Sequence, residues 1–338
     1  MTGKLKSLLS GAALAGLLVI PTLPSSALGA DGPPPAPAAP PAPPAPPPPP
    51  MPHGGDFTHW GLRSFPGQEL KVDDLVGTLI VTVSNGGPIT VEAWGSKYRV
   101  NGLHVDSRNG AVEVEGSGYD ENYSVWDWKH WFDFSHFGDT HESDLTVRVS
   151  VPRGADVNID SLVGNATIGD TYGRLKLDAA ATTANIGRVQ SADIDLGGSG
   201  KIQITAVSGP LNLDIGGSGK LITGPVGSVN ADIAGSGDAY LGPIAGGLKL
   251  DIAGSGDLTA PRVNGPVSVD IAGSGSIKIA DGVADPLHIE IMGAGNFTFG
   301  GVAVDPHVES FGSGEVRLKS YRGKLTSEGM ADVKIGQQ

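Results

Sequence analysis

The stretch "LNLDIGGSGK", residues 211–220, alternates apolar and polar side chains over five positions and then breaks into glycines around a serine. It returns as "VNADIAGSGD" (229–238), "LKLDIAGSGD" (248–257), "VSVDIAGSGS" (267–276) and "LHIEIMGAGN" (287–296). Following the acidic position held by Asp214 gives Asp160, Asp178, Asp195, Asp214, Asp232, Asp251, Asp270, Glu290, Glu309 and Glu328, spaced 17 to 20 residues apart. A period near 19 with short alternating segments and glycine-rich corners is the pattern of a β-solenoid, in which each repeat is one rung stacked on the last. The expected fold is therefore all-β: about ten rungs of roughly 19 residues, a parallel β-helix-like coil preceded by a β-rich N-terminal part.

Alternation assigns the faces. Leu211, Leu213 and Ile215 point to the lumen while Asn212 and Asp214 point outward, and Val267 to Ile271 repeat the scheme. The glycines of "GSG" fall where the coil turns, and Gly217 and Gly219 are expected at φ > 0, a conformation that residues with a β-carbon adopt at a cost. A second corner reads as "SGPL", "GGLK", "NGPV" and "ADPL", with Pro210, Pro266 and Pro286 opening the next strand.

Composition agrees with a chain that turns often. Glycine supplies 52 of 338 residues, about twice the ordinary share. Lys+Arg 23 against Asp+Glu 36 leaves a formal charge of -13, which argues against a nucleic-acid partner because phosphate contacts depend on clustered Lys and Arg. Cysteine is absent, so neither a disulfide framework nor a lipid-modified cysteine anchor is available.

The N-terminus reads as an export signal over residues 1–29. Lys4 and Lys6 precede the apolar run "LLSGAALAGLLVI", and small residues in "PTLPSSALGA" place cleavage after Ala27 or Gly29. The run is shorter than the roughly 20 residues that span a bilayer, so no transmembrane span is expected after cleavage. Loss of the two lysines takes the net charge from -13 to -15. Residues 30–55, with "GPPPAPAAPPAPPAPPPPPMPHGG", read as an extended, disordered Pro-rich linker, because proline fixes its own φ and keeps the preceding residue out of the α region. Destinations open to such a chain are the periplasm, the cell surface and the medium.

From residue 56 to 151 the sequence reads as strands and turns, such as "GTLIVTVSNGGPITVEAWGS", with no helical period. The exception is "YDENYSVWDWKHWFDFSHFGDTHES", residues 119–143, which interrupts the β pattern with a cluster of tryptophan and histidine. Trp126, Trp128 and Trp131, with His130 and His136, are the candidate ligand-contact residues, since aromatic faces stack on sugar rings. Two other readings compete: a strap over the open end of the lumen, and a metal site from His130, His136 and His141 with Asp133 or Asp139. His53, His59, His104, His288 and His307 are scattered and form no pattern in this reading.

The export signal, the opening strands that end in "LTVRVSVPRGADV" and the run of "DIAGSGD"-like repeats together resemble the GIN head domain family of putative autotransporter adhesins, over roughly residues 56–338. That resemblance implies an exported β-helical fold and carries no catalytic residues with it. The tail "KSYRGKLTSEGMADVKIGQQ" departs from an autotransporter, since it leaves no room for a translocating barrel.

Other motifs fail on their chemistry. In "GGSGK", Ile202 and Leu221 stand where a phosphate-binding loop needs Ser or Thr for Mg²⁺. The calcium nonapeptide is half matched after Gly197, Gly198, Ser199 and Gly200, with Lys201 and Ile202 following in place of the required Asp. The expected role is structural or adhesive, without catalysis, cofactor or bound metal, with envelope glycans or proteins as partners. Two alternatives stay open: a polysaccharide-acting β-helix enzyme using stacked carboxylates, and a cation-binding envelope protein.

Overall fold

The computed structural model describes residues 57–116, 145–330 and 332–336, all within the unit Ala39–Gln338. The signal segment 1–29, the linker 30–55 and the aromatic segment 119–143 lie outside the described residues. Strand dominates the remainder, which coils into a β-solenoid of about nine turns of about 19 residues, close to the ten anticipated.

Parallel pairing in strict register builds the coil. Leu211, Leu213 and Ile215 lie beside Ala192, Ile194 and Leu196 on one rung and beside Val229, Ala231 and Ile233 on the next. The same three rows continue through Leu248, Leu250 and Ile252 and through Val267, Val269 and Ile271. Every one of these side chains is buried, as the alternation requires. A second sheet closes the lumen from the other side, with Leu221, Ala239, Leu258, Ile277, Phe297 and Val316 in one row. Burying a Leu, Ile or Phe side chain is worth about 1.5–3 kcal/mol, so the stack of such rows is the main favourable term.

The corners differ from expectation in an instructive way. Gly217 and Gly219 do not lie in the left-handed region. Left-handed backbone begins one rung later at the first glycine of each corner, with φ of 130° at Gly235 and 139° at Gly254. The last glycine is required for space instead. A Cβ on Gly275 would stand 2.5 Å from the carbonyl oxygen of Gly256 and 3.1 Å from Cγ2 of Ile252, because each corner rests on the backbone of the previous one. The proline corners are passed without ending the strand: Lys201–Ile215 and Val263–Gly273 run through Pro210 and Pro266, with register shifts between Val207 and Pro210 and between Gly265 and Val267.

The N-terminal part is the first rungs and their cover. Glu69–Asp73 lies between Ala111–Glu115 and Asp156–Ile168, and Val76–Ser84 lies between Thr146–Pro152 and Asp156–Ile168, so the chain lays down an inner rung before building the one outside it. Beyond that outer rung the pairing turns antiparallel: Ile89–Ser96 pairs with Thr146–Pro152, and Phe57–Phe65 pairs with Ile89–Ser96. A five-residue helix, Lys97–Asn101, follows, where no helix was expected; Ser96 caps it by accepting from the Arg99 amide at 3.4 Å. One turn is too short to leave a periodic trace in sequence. Val100 and Leu103 are buried there, and Trp60 and Phe65 pack against the same core.

The close approach at the last corner glycine has a measurable consequence. Gly275→Ala is expected to cost about 1–3 kcal/mol by overpacking, whereas Ser236→Ala, at an exposed middle position, should cost less than about 0.5 kcal/mol. Chemical denaturation of the two variants checks this, and equal losses would refute the packing account of the corner.

Candidate functional site

Parallel register turns outward positions into files that run from rung to rung. The acidic file follows the expected series: Asp178, Asp195, Asp214, Asp232, Asp251, Asp270, Glu290, Glu309 and Glu328 are rung-to-rung partners. It also extends past Asp160, through Asp73 to Glu115, two positions that the period alone does not reveal because their rungs are laid down out of chain order.

Stacked carboxylates in partial burial resist ionisation. Asp73 is pushed up to about 6, first by burial and then by the charges of Asp160, Glu113 and Asp74. Burial followed by a neighbouring carboxylate also raises Asp178, Asp214 and Asp232. Asp251 goes the other way, because its carboxylate accepts a 2.8 Å hydrogen bond from Lys249. Burial, followed by Asp251 on the adjacent rung, raises Asp270 as well.

Two other files flank the acidic one. Towards the glycine corner runs an apolar file, Ala234, Ala253, Ala272, Met292 and Phe311, with Met292 and Phe311 more than half exposed. Between it and the carboxylates lies a shallow groove of about 360 Å³ lined by Asp232, Ala234, Asp251, Ala253, Asp270 and Met292. On the other side, Asn230, Lys249, Ser268, His288 and His307 are partners in turn. His288 and His307 are therefore not scattered. Their rings stack 5.0 Å apart at an interplanar angle of 6°, and His307 Nε2 lies 2.7 Å from Glu309 Oε1. The signal that would have found them was their separation of one repeat.

Trp126, Trp128, Trp131, His130 and His136 lie outside the described residues, and so do His141, Asp133 and Asp139. The flanks of their segment are placed, however. The Gly116 amide donates to the Asp73 carbonyl at 2.9 Å and the Thr78 amide donates to the Leu145 carbonyl at 2.8 Å, so the segment leaves and re-enters at one corner of an early rung. That corner adjoins the acidic file at Glu115 and Asp73. Trp60 and Trp94 belong to the cover instead: Arg63 stacks on Trp60 at 3.9 Å, and Arg148, paired with Glu92 at 3.0 Å, lies over Trp94. Among the described residues no helix is long and apolar enough to cross a membrane.

No family model matches the chain, and no curated protein matches it. Solved structures do. A "putative lipid binding protein" from Parabacteroides distasonis is 14% identical, with 83% of this chain and 96% of that one covered at a TM-score of 0.38. A "putative adhesin" from the same organism is 16% identical over 83% and 97% at 0.37, and a "putative adhesin" from Parabacteroides merdae is 11% identical over 83% and 95% at 0.36.

The raised Asp73 carboxyl sets a pH test. Its folded value exceeds the unfolded one, so the folded chain holds the extra proton and stability falls as pH rises from about 4 to about 6. Asp73→Asn should therefore melt higher than the wild type at pH 7.5, with the advantage vanishing below about pH 4. A lower melting temperature at pH 7.5, or a difference independent of pH, would contradict this electrostatic account.

Proposed function

We propose that the chain is an exported cell-envelope protein with a structural or adhesive role, and that the segment 119–143 makes its contacts with envelope glycans or proteins. The supporting observation is the placement of that segment's flanks. They sit at a corner of the outermost parallel rung, whose lumen is covered by Phe57–Phe65, Ile89–Ser96 and the helix Lys97–Asn101. Buried Val100 and Leu103 and packed Trp60 and Phe65 already cover the core there, which supports a contact role for the tryptophans over a capping one. Exposed clusters of large aromatics are costly unless they meet a partner.

A binding role is favoured over a catalytic one on physical grounds. Asp160, Asp251 and Glu309 of the acidic file are paired with Lys176, Lys249 and His307, and the described rungs send no long loop over the file to exclude water or clamp a sugar chain. The export signal and the resemblance of the repeats to the GIN head domain family point the same way, to a surface or periplasmic protein that binds.

Replacement of Trp126, Trp128 and Trp131 by alanine tests the contact role. Binding of the full chain to isolated envelope fractions should fall at least tenfold, with a melting temperature within about 2 °C of the wild type. A large drop in melting temperature would make the segment structural and end the contact proposal. Release of new reducing or unsaturated ends from acidic polysaccharides would instead establish the enzyme.

A further inference from the structure

We propose that Asp270, His288 and Glu290 form a binding site for a divalent transition-metal ion, with Zn²⁺ the best match to the donor set. One ligand atom from each of the three lies within 4.8 Å of the others. His288 and Glu290 occupy successive outward positions of Gly282–Gly293, and Asp270 comes from the adjacent Val263–Gly273, fixed opposite Glu290 by the register. The backbone therefore sets the separation of the donors before any ion arrives.

Donor chemistry decides the metal. One imidazole nitrogen with two carboxylate oxygens is a set that Zn²⁺ accepts at about 2.0–2.2 Å, whereas Ca²⁺ and Mg²⁺ demand oxygen throughout. Tetrahedral ligands at such bond lengths stand about 3.4 Å apart, so side chains now within 4.8 Å need to close by roughly an ångström. All three are only partly buried. A further imidazole is at hand on the next rung: His307 stacks on His288 at 5.0 Å and is itself oriented by Glu309. An ion here would also offset the like charge of Asp270 and Glu290, which the register stacks on adjacent rungs.

The site is local to these rungs. The corresponding outward pairs are Asn212 with Asp214, Asn230 with Asp232, Lys249 with Asp251 and Ser268 with Asp270, none of which offers an imidazole. In the described rungs, the file switches from aspartate to the longer glutamate at Glu290, the rung where histidine enters.

Calorimetric titration of the full chain with Zn²⁺ tests the proposal. His288→Ala should weaken the strongest site at least tenfold, while Asp214→Asn, in the same file but away from the histidines, should leave it within twofold. A triple variant of His130, His136 and His141 to alanine should also leave it within twofold, and Ca²⁺ at equal concentration should not displace the ion. In the wild type, Zn²⁺ should move the imidazole proton resonances of His288 and His307, a readout that does not depend on how any variant folds. Absence of Zn²⁺ binding, an unchanged affinity in His288→Ala, an equal loss in Asp214→Asn or in the triple variant, displacement by Ca²⁺, or unmoved His288 resonances would overturn it.

Discussion

Everything in this molecule depends on one constraint, that each rung must repeat the backbone path of the rung beneath it closely enough for parallel hydrogen bonds to form in register. The glycine corners satisfy it. Gly235 stands on the Gly217 carbonyl, with its Cβ position only 2.6 Å from that oxygen, and the later corners repeat the contact. Side chains at these positions would lift one rung off the next, and the aliphatic rows of the lumen would lose contact together. Because each rung touches only its neighbours, stability is carried by many small interfaces rather than by one centre.

The same constraint controls surface chemistry. Where an outward position is occupied by the same residue type on successive rungs, as at Asp232, Asp251 and Asp270, a favourable choice is multiplied and an unfavourable one is multiplied too. Burial and then the neighbouring Asp195 raise Asp214, and the chain offsets such crowding locally: Lys249 bonds Asp251, and Lys176 bonds Asp160 at 2.9 Å. A charged outward file also discourages edge-to-edge association of the exposed sheet. The apolar file Ala234, Ala253 and Ala272 stays small until Met292 and Phe311, where the surface becomes substantially hydrophobic.

Much of this was legible in sequence because a solenoid writes its geometry as a period. The rung length, the inward Leu213 against outward Asp214 and the acidic file all follow from counting. What escaped the count was whatever breaks chain order or falls below a repeat. Glu115 and Asp73 joined the file only because Ala111–Glu115 pairs outside the earlier Glu69–Asp73. The helix at Lys97–Asn101 is a single turn, and its buried Val100 gives no 3.6-residue pattern to read. The demand for Gly275 was legible but its cause was not, since a left-handed φ and a close backbone approach both ask for glycine. His288 and His307 were overlooked for a simpler reason: the period was applied to the carboxylates and not to the histidines.

A periodic scaffold also constrains where a specific function can reside. Uniform rungs present the same chemistry at every level and so cannot distinguish one position on a partner from another. Specific recognition requires a place where the period is broken. Two such places stand out among the features with placed residues. One is the corner bounded by Gly116 and Leu145, from which the aromatic segment departs beside the acidic file. The other is the rung pair at Glu290 and Glu309, where Asp gives way to Glu and the adjoining file gains two stacked imidazoles. At both, the repeat supplies rigid positions and the exception supplies the chemistry, which is the division of labour expected when a fold is retained for its geometry and individual residues for their interactions.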